Sequence, residues 1–258
     1  MLYRFLTYVN STSSGTTYSN IAYYISNNFT KVTKMNLEEL ADACYVSQAT
    51  ISRFCRFLGF ESFTHFKMAC QHSIRDGERR INDIVSTMSR DDDEYRQSFR
   101  NYDYGVIDEL KDFADKLDVG ELDQLLELIH KTEDVAFFGV HRCASFIQEV
   151  QFSFALKDKF VKAYSGSNHQ LECVRNLKKD SVAIVVTAND GFWQESVEVV
   201  DALAKSPCYK VLLTAGRISE RADIFNEIHR IGSGRDRGCA YAMMIYSESM
   251  ISRYFTKY

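Results

Sequence analysis

No apolar run in this chain approaches the ~20 residues that a membrane-spanning helix needs, and the first thirty residues carry no basic stretch followed by an apolar one. A cytoplasmic protein without a membrane partner is therefore expected. Cys-x-x-Cys pairs are missing too. The seven cysteines, Cys44, Cys55, Cys70, Cys143, Cys173, Cys208 and Cys239, are scattered and odd in number. That pattern argues against a disulfide framework or a zinc site and for reduced thiols, so neither a metal nor a cofactor is expected. Internal repeats and low-complexity segments are absent. A strong charge of either sign is also lacking: the net charge is −4, which would speak against a nucleic-acid partner if it were evenly spread. It is not. Residues 1–75 carry a balance of +3 and the remainder −7, as fits a phosphate-facing module on an acidic body. At 258 residues, the chain has room for one large or two small domains.

The segment Asn36 to Phe60 spells two short helices joined by a tight turn. Asn36 is placed to cap the first, with Glu39 three residues on reaching back to the backbone of the cap. Leu37, Leu40 and Ala41 share one face. Ser47 is the N-cap expected for the second helix, whose Ile51, Phe54, Cys55 and Leu58 fall at i, i+3, i+4, i+7 spacing and form a stripe to bury. Gly59 ends it. With that stripe inward, Gln48, Ser52 and Arg56 line the solvent side, with Ser47, Ala49, Thr50 and Arg53 beside them. Such side chains reach base edges and phosphates in a major groove. On spacing alone, an ordinary helical hairpin with a solvated polar face fits equally well.

The run Glu39-Leu40-Ala41 through Val46-Ser47-Gln48-Ala49-Thr50-Ile51-Ser52-Arg53-Phe54-Cys55-Arg56-Phe57-Leu58-Gly59-Phe60, followed by Phe63 and Phe66-Lys67, resembles the N-terminal domain of the RpiR (MurR/RpiR) family of bacterial transcriptional regulators. Thr17 to Ile25 resembles the opening helix of the same domain. The resemblance implies that the face from Ser47 to Arg56 binds double-stranded operator DNA.

Downstream, Glu61 to Arg75 reads as a further helix, and Ile81, Ile84, Val85 and Met88 form another helical stripe that stops at Asp91-Asp92-Asp93-Glu94. That acidic run is expected to be a solvated joint. The aromatic residues Tyr95, Phe99, Tyr102 and Tyr104 suggest packing of the connector against a partner subunit. From about residue 111 the pattern changes. Asp118 with Glu121 caps a helix bearing Leu122, Leu125, Leu126 and Ile129, after which short apolar runs alternate with helical patterns. Strands are expected at 135–138, 160–164, 182–186, 209–213 and, weakly, 227–231, with crossover helices such as 143–156 and 193–205. The fold class is α/β: an all-α helix-turn-helix domain (1–76), a helical connector (77–110) and a doubly wound parallel-sheet domain (111–258).

In such a sheet, ligands bind outside the carboxyl ends of the strands. The strand order, the Gly139 turn, Tyr164-Ser165 with Gln170 and Leu171, and Leu203-Ala204-Lys205 together resemble the SIS (sugar isomerase) phosphosugar-binding domain, which follows the DNA-binding domain in the RpiR family. The resemblance implies a sugar-phosphate sensor at Gly139, His141, Arg142, Cys143, Ser165, Ser167, Thr187, Asn189 and Asp190. The phosphate signature is altered. His141 stands at the second glycine of Gly-x-Gly-x-Ser and Cys143 at its serine, while Thr187-Ala188-Asn189-Asp190-Gly191-Phe192 replaces Ser-x-Ser-Gly-x-Thr. Asp190 would repel a phosphate beside it, whereas Arg142 and His141 can replace some donors.

Two readings follow: a changed effector site, or a sensor domain kept for dimerisation. Trp193 is expected to plug helix–sheet packing. The leading function is a regulator that binds operator DNA, assembles as a homodimer or homotetramer and responds to a sugar-phosphate effector. The alternatives are a sugar-phosphate isomerase, for which Glu172, Glu195 and His169 are eligible bases, and a ligand-free structural SIS protein.

Overall fold

The computed structural model describes residues 2–164, 166–188, 192–193, 196–216, 218, 220–232 and 238–258. The chain forms two compact units, 1–98 and 99–258.

The first unit is helical: α1 (Leu2–Ser11), α2 (Thr17–Asn27), α3 (Phe29–Val32), α4 (Leu37–Ala43), α5 (Gln48–Phe57) and α6 (Phe63–Val85), followed by the start of α7 (Asp92–Lys116). Ile21, Ile25, Leu40, Ile51, Phe54, Cys55, Phe66 and Cys70 converge in its core. Each is fully buried, because helical spacing puts the apolar residues of α2, α4, α5 and α6 on facing stripes. The segment around the expected stripe from Ile81 is the continuation of α6, one helix from Phe63 to Val85, with Ile81 and Val85 exposed. The acidic run is more than a solvated joint. Asp91 accepts from the amides of Asp93 (3.1 Å) and Glu94 (3.2 Å) and so caps α7, where Asp92, Asp93 and Glu94 fill a first turn that favours negative charge.

The second unit carries the later part of α7 and α8 (Val119–Lys131), β1 (Val135–Phe138), α9 (Arg142–Ala155), β2 (Lys162–Ala163), α10 (Ser167–Asn176), β3 (Val182–Thr187), α11 (Val197–Lys205), β4 (Tyr209–Thr214), a 3₁₀ turn (Glu220–Ile224), β5 (Glu227–Arg230) and α12 (Cys239–Lys257). The sheet order is β2-β1-β3-β4-β5 and every pairing is parallel. Alternate residues of each central strand enter different cores. Val135, Phe137, Val182, Ile184, Val186, Val211 and Leu213 meet α8, α9 and α12. Ala136, Phe138, Ala183, Val185 and Leu212 meet α10 and α11. Burial on both faces is why these strands read as continuous apolar runs. As expected, Asp118 caps α8, accepting from the amides of Gly120 (2.8 Å) and Glu121 (3.0 Å).

Candidate DNA interface and sheet-edge site

The pair α4–α5 is defined at its ends by hydrogen bonds that its sequence dictates. In α4, Asn36 Oδ1 accepts from the Glu39 amide (2.9 Å) and Glu39 Oε2 accepts from the Asn36 amide (2.7 Å), the reciprocal capping box. The turn passes through Tyr45, whose φ of 56° lies in the left-handed region, and the Val46 amide donates back to the Ala41 carbonyl (2.9 Å). Ser47 then caps α5. Its Oγ accepts from the Thr50 amide (3.2 Å) and lies 2.9 Å from Thr50 Oγ1. At the other end, Gly59 takes a φ of 87°. Its amide donates to the Arg56 carbonyl and that of Phe60 to the Cys55 carbonyl, both at 2.9 Å. This pair closes a Schellman motif and satisfies orphan carbonyls of α5.

Ile51, Phe54 and Cys55 face inward as the spacing predicts, whereas Leu58 lies beyond the last turn of α5 and is half-buried. The opposite face carries Ser47, Gln48, Ala49, Arg53 and Arg56 exposed, with Thr50 and Ser52 half-buried. Two residues that sequence reasoning missed flank this face: Tyr45, 96% exposed at the turn, and Phe57, half-exposed at the helix end. Their exposure had no signal in the apolar spacing. Phe57 is braced by Tyr8 and Tyr18, with ring centroids at 5.4 and 5.2 Å. Lys67 donates to the Met35 carbonyl (2.9 Å) and helps fix the fold.

At the carboxyl edge of the sheet, β1 runs into Gly139, where a side chain has no room. A Cβ there would sit 2.7 Å from Ile147 Cδ1 and 3.1 Å from both Cys143 Cβ and the Val186 carbonyl oxygen. His141 follows with φ 55° and ψ −121°, a conformation that side chains rarely adopt. The position that the resemblance assigns to a glycine thus keeps a glycine-like backbone while carrying an imidazole. Cys143 is 5% exposed, and burial pushes its thiol up to about 11. It packs, and it does not present a donor comparable to the serine it replaces. Arg142 is exposed at the first position of α9. Thr187 is buried at the end of β3, its carbonyl accepting from the Ala215 amide (3.0 Å).

The backbone of Ser167 opens α10, while Ser165, Asn189 and Asp190 lie outside the described residues. Gln170, quoted in the resemblance but not as a site residue, proves to be the organiser of this edge. It is 2% exposed, and its Nε2 donates to the carbonyls of Gly139 (3.0 Å) and Tyr164 (2.7 Å), tying the segments after β1 and β2 together. Its Oε1 is buried and lacks a hydrogen-bond partner among the described residues. Trp193 packs edge-on against Phe192 and Phe225, in the plugging role expected of it. Of the eligible isomerase bases, His169 and Glu172 are exposed on α10 and Glu195 lies outside the described residues. Among the described residues no cluster of three or more His, Cys, Asp or Glu side chains is arranged to hold a metal, and no helix is long and apolar enough to cross a membrane.

A doubly capped helix pair with one polar face outward, followed by a five-stranded parallel α/β sheet, is the architecture of a helix-turn-helix domain followed by a doubly wound domain. Residues 4–77 match the helix-turn-helix domain of the rpiR family. An uncharacterised helix-turn-helix-type transcriptional regulator of Caldanaerobacter subterraneus is 28% identical over 198 residues, covering 76% of this chain and 68% of the relative. The transcriptional regulator HexR of Pseudomonas aeruginosa is 25% identical over 195 residues, covering 76% and 67%. Among solved structures, Vibrio vulnificus NanR complexed with ManNAc-6P shares the fold with a TM-score of 0.52 at 17% identity, over 100% of this chain and 92% of that one. A phosphoheptose isomerase from Francisella tularensis shares the sheet domain with a TM-score of 0.53 at 14% identity, over 62% of this chain and 98% of that one. Residues 4–77 thus carry a helix-turn-helix domain of the rpiR type, the chain is similar over about three quarters of its length to helix-turn-helix-type transcriptional regulators, and its sheet unit shares its fold with a phosphoheptose isomerase.

Proposed function

We propose that the face of α5 formed by Ser47, Gln48, Ala49, Thr50, Ser52, Arg53 and Arg56 reads operator DNA. We further propose that the chain does so as a cytoplasmic homodimer or homotetramer under the control of a sugar-derived ligand at the carboxyl edge of the sheet. The exposure of the polar face of α5, with Ile51, Phe54 and Cys55 at 0% exposure on the other side, carries the reading. Arg53 and Arg56 suit phosphate contacts and Gln48 suits an adenine edge. Ser47 serves first as the helix cap, so its contribution to DNA is its backbone amide and the orientation of the helix.

The neighbour NanR was solved with an amino-sugar phosphate, which supports a phosphosugar-derived effector for this sheet. The altered cradle favours a ligand other than the common hexose phosphates. Cys143 is buried where a hydroxyl would donate, and each lost bond to a charged acceptor is worth about 1.5–3 kcal/mol. The chain is read as a sensor and not an enzyme. The similarity of the chain to helix-turn-helix-type transcriptional regulators supports that reading.

The test is fluorescence anisotropy of the full chain on duplexes that it has selected from a random library. Specific binding with a steep salt dependence is expected. Equal affinity for selected and scrambled duplexes would overturn the operator reading.

A further inference from the structure

The last helix of the sheet domain begins without a cap of its own. Gly238 is the N-cap residue of α12 and has no side chain to offer, yet its amide is satisfied. Glu109, 129 residues earlier and on α7, accepts from it through Oε2 at 2.7 Å. The fit leaves no slack: a Cβ on Gly238 would lie 2.4 Å from Glu109 Oε2 and 3.0 Å from Glu109 Cβ. The next residue, Cys239, donates its thiol to the Ala215 carbonyl just past β4 (2.8 Å). The first turn of α12 is therefore held on one side to the carboxyl end of the sheet and on the other to α7.

Helix α7 is the element that continues, unbroken in sequence, across the division between the two units after Ser98. One turn beyond Glu109, Phe113 is buried in the core of the sheet domain, beside a cavity of about 220 Å³ lined by Phe113, Lys116, Leu122, His229, Gly232 and Tyr246. Alongside the apolar contacts of Val106, Leu110 and Phe113, the Glu109 carboxylate on a helix N-terminus is a directional, charge-assisted attachment of α7 to α12.

We propose that Glu109 is a positioning residue that couples the sheet edge to the DNA-binding unit, its bond to Gly238 transmitting displacement of the first turn of α12 to α7. The coupling rests on the reading that the first unit binds DNA, but it requires no knowledge of the ligand. By reciprocity, a duplex whose affinity depends on the position of α7 alters the first turn of α12 in turn.

Hydrogen exchange of the full chain, with and without its selected duplex, tests this. In the natural protein, duplex binding is expected to change exchange of the 239–242 amides by threefold or more. Glu109→Ala is expected to abolish that response while leaving DNA affinity within about twofold. Glu109→Gln, which keeps an acceptor oxygen and guards against a folding failure of the alanine variant, is expected to restore at least part of the response. A cap that only stabilises would speed exchange in Glu109→Ala without any response to DNA in the natural protein, and that result would overturn the proposal. A response that survives in Glu109→Ala would overturn it equally. In either case intact DNA binding would leave the operator reading standing, whereas absence of binding by the natural protein would remove both.

Discussion

His141 combines an unfavourable backbone with a changed chemistry. Its φ of 55° and ψ of −121° suit glycine, and strain of this kind costs about 1–3 kcal/mol. His141→Gly is therefore expected to raise stability by about 1 kcal/mol in urea unfolding, and a loss of stability would show that the imidazole contributes more than its backbone costs. The opposite sign holds two residues earlier. Gly139→Ala would force a methyl to 2.7 Å from Ile147 Cδ1, and overpacking of this sort costs about 1–3 kcal/mol, readable in the same titration. Legibility at this scale was uneven. The departure of His141 and Cys143 from the family signature is visible in the sequence alone, because only residue type is needed to see it. The burial of Cys143 depends on the approach of Gly139, itself set by packing against Ile147, and no local pattern encodes that. The clamp made by Gln170 was hidden for the same reason, since its partners are backbone carbonyls 31 and 6 residues away.

Elements were more legible than sites. The capping box of α4 follows from two side chains three residues apart, and Asn36→Ala is expected to cost about 1 kcal/mol, seen as a lowered melting temperature of the first unit. The central strands were readable because they are buried on both faces. β2 is reduced to two residues, and β5, a polar edge strand, gave a weak signal: its buried His229 lies 2.9 Å from Glu121 and 3.2 Å from Glu227. Helix α1 was not anticipated, although Leu2, Leu6 and Val9 recur at helical spacing. Between α8 and α12, Arg253 Nε and Nη2 grip Asp123 at 2.7 Å each, and these bonds hold the Asp123 carboxyl down to about 2. Since the folded value lies below the ordinary 3.8, the stabilisation is present above about pH 4 and is lost as pH falls toward 2. Asp123→Asn should flatten the acid limb of a pH–stability profile; an unchanged limb would assign acid unfolding to other groups.

Over the whole molecule, buried thiols contribute to the alkaline limit as the Asp123 pair contributes to the acid one. Burial pushes Cys55 and Cys70 up to about 12 from an ordinary value of 9.0. Below pH 9 both folded and unfolded thiols keep their protons. Above it the unfolded chain releases them while the folded chain does not, so stability falls as pH rises from 9 toward 12. Denaturant midpoints measured across that range check the sign. Assembly is expected to follow two-fold symmetry on an inverted repeat, and a monomer in light scattering at micromolar concentration would contradict it. A thermal-shift comparison of hexose, pentose and amino-sugar phosphates is expected to show little stabilisation by the common hexose phosphates, because bound ligand stabilises in proportion to the logarithm of its excess over Kd. The central claim is that α5 reads DNA, and anisotropy titrations of α5 variants on the selected duplex over a range of salt test it most directly. Arg53→Ala and Arg56→Ala should weaken binding to all sequences and each lower the salt slope by about 1, while Gln48→Ala should cost about 1–3 kcal/mol at particular base pairs only. Unchanged affinity and salt slope in all three variants would contradict the assignment.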